Sequence, residues 1–167
     1  SRAAWNEEMR RYEYLRVIGP DEYHENIDNN AFTNYMAKWT IDAALSASEW
    51  MMANHPSTWK ELSGRLGLTL REQDEMRRVA QAVYIPQPDP DTKVIEQFDG
   101  FFDLEDITGS IRDLIDAGRS ADMALIQDMA RHRRILKQAD VVMLAKLMPN
   151  LFGTDVWTAN YDYYSAR

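Results

Sequence analysis

From Asn30 to Ala53 the apolar side chains Phe32, Met36, Trp39, Ala43, Ala47 and Trp50 return every three or four positions, which is the period of one helical face. The spacing predicts a helix from about Asn30 to Ala53 with Asn29 or Asn30 as its cap, because a short polar side chain there accepts one of the first unpaired N–H groups. Trp39, Trp50, Met51 and Met52 fall at helical spacing and are expected in the core. "HPSTWKELSGRLGL" reads as a short helix stopped by Gly67, and Thr69 with Glu72 three residues later makes a capping box for "LREQDEMRRVAQAVY". "IPQPDPDTK", residues 85–93, carries three prolines and is expected to be a loop, since each proline lacks a donor and biases its predecessor to extended backbone. "VIEQFDGFFDLEDITGS" is apolar without helical period, which predicts a short strand or an extended segment packed on helices. Helical pattern returns from about Ala121 in "ADMALIQDMARHRRI", continues in "KQADVVMLAKLM", stops at Pro149 and resumes after Gly153. No internal repeat, heptad run or low-complexity tract interrupts it. Six or so helices with at most one minor strand predict an all-α architecture.

Composition narrows the function classes. A chain of 167 residues, 45% hydrophobic and 28% charged, has the makeup of a globular domain with one good core. Nineteen basic against 27 acidic side chains leave a net charge near −8, which repels a nucleic-acid backbone and an anionic membrane surface. Neither is an expected partner, and "RHRR" at 131–134 is read as a solvated helix face. The absence of cysteine excludes disulfides, thiolate catalysis and thiolate zinc ligation. No apolar run is long enough to span a membrane and no signal-peptide pattern opens the chain, so a cytoplasmic location is expected. The start has no initiator Met and the end, "NYDYYSAR", stops among aromatics, so residues 1–167 are expected to be a single piece of a longer protein.

The chemistry concentrates in "GPDEYHENIDNN", residues 19–30. Helix capping accounts for Asn29, Asn30 and Asp28 but leaves Asp21, Glu22, His24 and Glu25 a turn or more too early. A metal site from Asp21, His24 and Glu25 is a second reading, of low specificity because His55 and His132 carry no matching motif. A third is a general acid: a carboxyl group desolvated on a loop beside aromatic walls keeps its proton near neutral pH. Glu22, next to Tyr23 and two residues after Pro20, suits that role, although spacing does not choose between Glu22 and Glu25.

The longer string "GPDEYHENIDNNAFTNYMAKW", residues 19–39, resembles the signature of glycoside hydrolase family 65, and "ILKQADVVML", residues 135–144, is similar to that family's Lys-Gln motif in the expected order. The family comprises inverting phosphorylases of maltose, trehalose, kojibiose and nigerose, with related hydrolases. The resemblance implies an all-α piece of an (α/α)6-barrel catalytic domain, with the flanking β domains and remaining barrel helices lying outside this chain. It carries the general acid to Glu22 and the pair that holds the transferred glucose to Lys137 and Gln138. It implies no metal and no cofactor, with inorganic phosphate as co-substrate, a disaccharide as substrate, the remainder of the same catalytic protein as partner, and self-association left open. The expected product is β-glucose 1-phosphate with glucose. In relatives a phosphate-binding Ser-His-Gly-Ser loop follows an aromatic segment like "YDYY", beyond Arg167, so hydrolysis by water remains the alternative, and a non-catalytic helical structural or binding fragment is the alternative from another class.

Overall fold

In the computed structural model, which describes residues 2–110 and 130–167, the chain begins with a hairpin. Strands β1 (Ala4–Asn6) and β2 (Arg11–Glu13) are antiparallel, with Trp5 opposite Tyr12. Helices α1 (Ala31–Asn54), α2 (Pro56–Leu66) and α3 (Leu70–Ala82), a 3-10 turn (Phe101–Asp103), and helices α4 (Asp140–Leu147) and α5 (Thr154–Ser165) follow. The described residues are mostly helical, but the hairpin exceeds the one minor strand expected. Strands of three residues are too short for alternation to register in the sequence.

Local signals set most helix ends. The Asn30 side chain accepts the Thr33 N–H at 2.9 Å and caps α1. Pro56 opens α2, where its missing N–H has no helical partner to lose, and Gly67 closes it in the left-handed region at φ 65°. Both halves of the Thr69–Glu72 capping box are present. The pattern expected from about Ala121 lies outside the described residues as far as position 129. Beyond it, residues 131–135 are not helical: Arg133 bridges to Glu105, whose carbonyl accepts the Arg134 N–H at 2.9 Å. "RHRR" is therefore not a solvated helix face. The Arg133 side chain pairs with Glu105 at 2.9 Å, and Arg134 donates to the Phe102 carbonyl. Pairing with a segment 28 residues away overrides the local helical preference.

The chain falls into two compact units, one taking residues up to Glu13 and Asn34–Tyr84, the other Tyr14–Thr33 and Ile85–Arg167. In the first, Tyr35, Leu45, Val79, Ala80 and Val83 are buried. Trp39 and Trp50, expected in the core, are 56% and 57% exposed, while Met51 and Met52 are half-buried. Helix α1 is apolar on more than one face, so periodicity alone does not say which stripe turns inward. In the second unit Ala31, Val94, Ile95, Phe98, Phe101, Val141, Val156 and Tyr164 form a continuous core. The segment after the proline loop thus packs as extended chain and one 3-10 turn against α4 and α5, as its aperiodic apolar pattern predicts. No helix among the described residues is long and apolar enough to cross a membrane.

Candidate active site

The loop Gly19–Asn30, in the second unit, is held by a buried polar network that reaches the start of α4. Asp21 is 1% exposed. Its Oδ1 accepts the Lys137 N–H at 3.0 Å and its Oδ2 accepts Gln97 Nε2 at 3.0 Å. His24 Nδ1 lies 3.3 Å from the same Oδ2, and its Nε2 lies 3.1 Å from the Arg133 carbonyl oxygen. The Asp21 N–H donates to Asp140 Oδ1 at 2.8 Å, and Asn30 Nδ2 donates to Asp140 Oδ2 at 2.7 Å. Gln97 closes the circuit: its Oε1 accepts the Asp140 N–H at 3.2 Å and its carbonyl accepts the Ala31 N–H at 2.8 Å. Buried polar groups are tolerated when they satisfy one another in this way.

The network explains the residues that capping left over. Asn30 is the cap, and Asn29 instead braces the loop, with its Nδ2 on Asp99 at 2.8 Å and its Oδ1 accepting the Tyr14 N–H at 3.3 Å. Asp28 accepts the Arg16 N–H at 2.8 Å. Gly19 sits at φ +69°, and a Cβ there would lie 2.7 Å from both Asn30 Nδ2 and Asp140 Oδ2.

These anchors place Glu22, Lys137 and Gln138 on one surface. Lys137 Nζ pairs with the Glu22 carboxylate, and Gln138 Nε2 donates to the Pro20 carbonyl. The neighbouring Glu22 carboxylate raises the Lys137 pKa above its ordinary value. Lys137 and Gln138 lie in the turn before α4, not on a helix, because α4 begins at Asp140. The aromatic wall expected to desolvate Glu22 does not surround it: the side chain is 57% exposed and faces Lys137. Glu25, which spacing left equivalent, belongs to a separate cleft of about 280 Å³ lined by His24, Asn26, Ile27, Phe98 and Arg131. Among the described residues no group of three or more His, Cys, Asp or Glu is arranged to hold a metal ion. Of the trio weighed for one, Asp21 and His24 are spent on each other and on the loop.

Sequence reasoning missed Asp140 and Gln97. Both are completely buried. Burial pushes the Asp140 carboxyl up to about 7, against the Asn30 and Asp21 hydrogen bonds that favour its ionised form. The available signals were a polar residue inside an apolar run, "VIEQFDGFF", and an acid two positions after Gln138.

All of residues 1–167 match the family model described as the glycosyl hydrolase family 65 central catalytic domain. Kojibiose phosphorylase of Caldanaerobacter subterraneus subsp. tengcongensis is 38% identical over 173 residues, covering 100% of this chain and 21% of that protein. The 1,2-alpha-glucosylglycerol phosphorylase of Bacillus selenitireducens is 35% identical over 175 residues, covering 100% of this chain and 22% of that protein. A solved structure assigned as a kojibiose phosphorylase from human microbiome superposes with a TM-score of 0.80 at 27% identity, covering 100% of this chain and 22% of its own. The chain thus spans about a fifth of the length of the curated relatives it matches. With that match across every residue, the chain belongs to glycosyl hydrolase family 65, within the central catalytic domain.

Proposed function

We propose that this chain is a segment of the (α/α)6-barrel catalytic domain of an inverting α-glucosyl disaccharide phosphorylase, and that it supplies the general acid and part of the sugar-holding surface. The observation that carries the reading is the convergence of Glu22 with Lys137 and Gln138 across 115 residues of sequence, on a loop and a turn cross-linked by the buried Asp21. Glu22 is the acid: its proton passes to the glycosidic oxygen as the bond from that oxygen to C1 breaks, and phosphate oxygen bonds to C1 from the opposite face. Phosphate is already anionic, so no second carboxylate has to activate it. The products are β-glucose 1-phosphate and the released acceptor sugar. Lys137 and Gln138 offer directional donors to the hydroxyls of the glucose being transferred. A bound sugar competes with Glu22 for the Lys137 ammonium, which frees the carboxyl for proton transfer.

The test is turnover by the full-length protein on kojibiose, nigerose, trehalose and maltose, with and without phosphate, beside a Glu22→Gln variant. Kojibiose comes first because relatives bear its name. Phosphate-dependent release of glucose 1-phosphate, reduced about 10²-fold or more in Glu22→Gln, is the expected outcome. Glucose release that is indifferent to phosphate indicates hydrolysis, and full turnover by the variant transfers the acid role to Glu25.

A further inference from the structure

Asp140 is the buried group for which this reaction has no use. It is completely buried at the first position of α4, beside a second buried carboxyl, Asp21. Two carboxyl groups in one dry site are a poor way to dock a helix, since each loses hydration and they repel when both are ionised. Their placement, in contrast, is specific. Asp140 Oδ1 holds the Asp21 N–H at 2.8 Å, one residue before Glu22, while Asp21 Oδ1 holds the Lys137 N–H at 3.0 Å, three residues before Asp140. Asp140 Oδ2 is fixed in turn by Asn30 Nδ2 at 2.7 Å, and the Asn30 Oδ1 is committed to the Thr33 N–H. The result is a set of buried hydrogen bonds that ties the loop carrying Glu22 to the turn carrying Lys137 and touches neither of those two side chains.

We propose that Asp140 is a positioning residue for the general acid: by clamping the Asp21 N–H, it sets the register of the loop carrying Glu22 against the turn carrying Lys137 and Gln138. The inference rests on the reading of Glu22 as the acid. Misplacement by about 1 Å costs as much as 10²-fold in rate, and it costs most where proton transfer matters most.

The test compares two substrates in the full-length enzyme with phosphate present: the natural disaccharide, whose leaving oxygen needs a proton, and α-glucosyl fluoride, whose leaving group needs little acid help. In Asp140→Asn the amide nitrogen meets either the Asn30 or the Asp21 donor, so one clamp is lost. Turnover of the disaccharide should fall about tenfold or more while that of the fluoride changes by less than about threefold. Exchanging the pair, Asn30→Asp with Asp140→Asn, restores the bond between the two positions and keeps an acceptor to cap α1; it gives up only the longer Asn30 Nδ2 bond to the Gln97 carbonyl at 3.3 Å, which still accepts the Ala31 N–H, and should return the disaccharide rate to within about threefold of the parent. Equal losses on both substrates, no loss on either, or a swapped pair no better than the single variant would overturn the inference. Should Asp140→Asn fail to fold, the swapped pair carries the test alone, a parental ratio of the two rates supporting the proposal and a ratio about tenfold lower refuting it. The acid reading fails separately, through a Glu22→Gln variant that retains disaccharide turnover.

Discussion

Gly19 shows how narrowly the site is built. Its φ of +69° is open to few L side chains, and a Cβ there would lie 2.7 Å from two atoms of the network, one on Asn30 and one on Asp140. Gly19→Ala should therefore both strain the backbone and push those groups apart, lowering stability by about 2 kcal/mol or more. Thermal unfolding of the variant checks this, and an unchanged midpoint contradicts the packing described. At this scale the sequence was legible where a local rule or a long string applied. Asn30 is the cap, and Glu22, Lys137 and Gln138 do gather. Their surroundings were not legible: desolvation of Glu22 was inferred from neighbours in sequence, whereas its real neighbour is Lys137, 115 positions away. Gln97 and Asp140 escaped notice for the same reason, since their partners lie 43 to 119 residues off and no spacing rule links such positions.

Between elements, the docking of the Gly19–Asn30 loop on α4 is titratable. Burial raises the Asp140 carboxyl from its ordinary 3.8 to about 7, so the folded chain binds that proton more tightly than the unfolded one. The stability it contributes is full below about pH 4 and is lost as pH rises to about 7, by linkage about 4 kcal/mol at most. Calorimetry of the full-length protein between pH 5 and 8 should show a falling midpoint, and Asp140→Asn should flatten the slope. The Asp21 carboxylate raises and His24 lowers the Asp140 value alongside burial, and the variant isolates the Asp140 contribution. An identical slope in the two proteins contradicts this assignment. Helices with caps and stop signals, α1 to α3, were readable to within a residue or two. The hairpin and the segment at 131–135 were not, because strand pairing over three residues, or over one bridge, leaves no period to count.

For the molecule as a whole, the exposed Trp39 and Trp50 are large apolar surfaces of the kind that other segments of a protein cover. The chain spans about a fifth of its relatives, and the remainder of the catalytic domain is the proposed cover. The isolated 167 residues should be poorly soluble, with acrylamide quenching both indoles readily as judged against Trp39→Phe and Trp50→Phe variants. In the full-length protein that quenching should fall; equal quenching in both contradicts the proposed cover. The most direct test of the central claim is the configuration of the product. Full-length protein supplied with kojibiose and phosphate is followed by proton and phosphorus NMR in the first minutes of reaction, beside Glu22→Gln. Inverting phosphorolysis with Glu22 as acid predicts β-glucose 1-phosphate as the first sugar phosphate, and almost none from the variant. The α anomer, free glucose in place of any phosphate ester, or an unimpaired variant would contradict it.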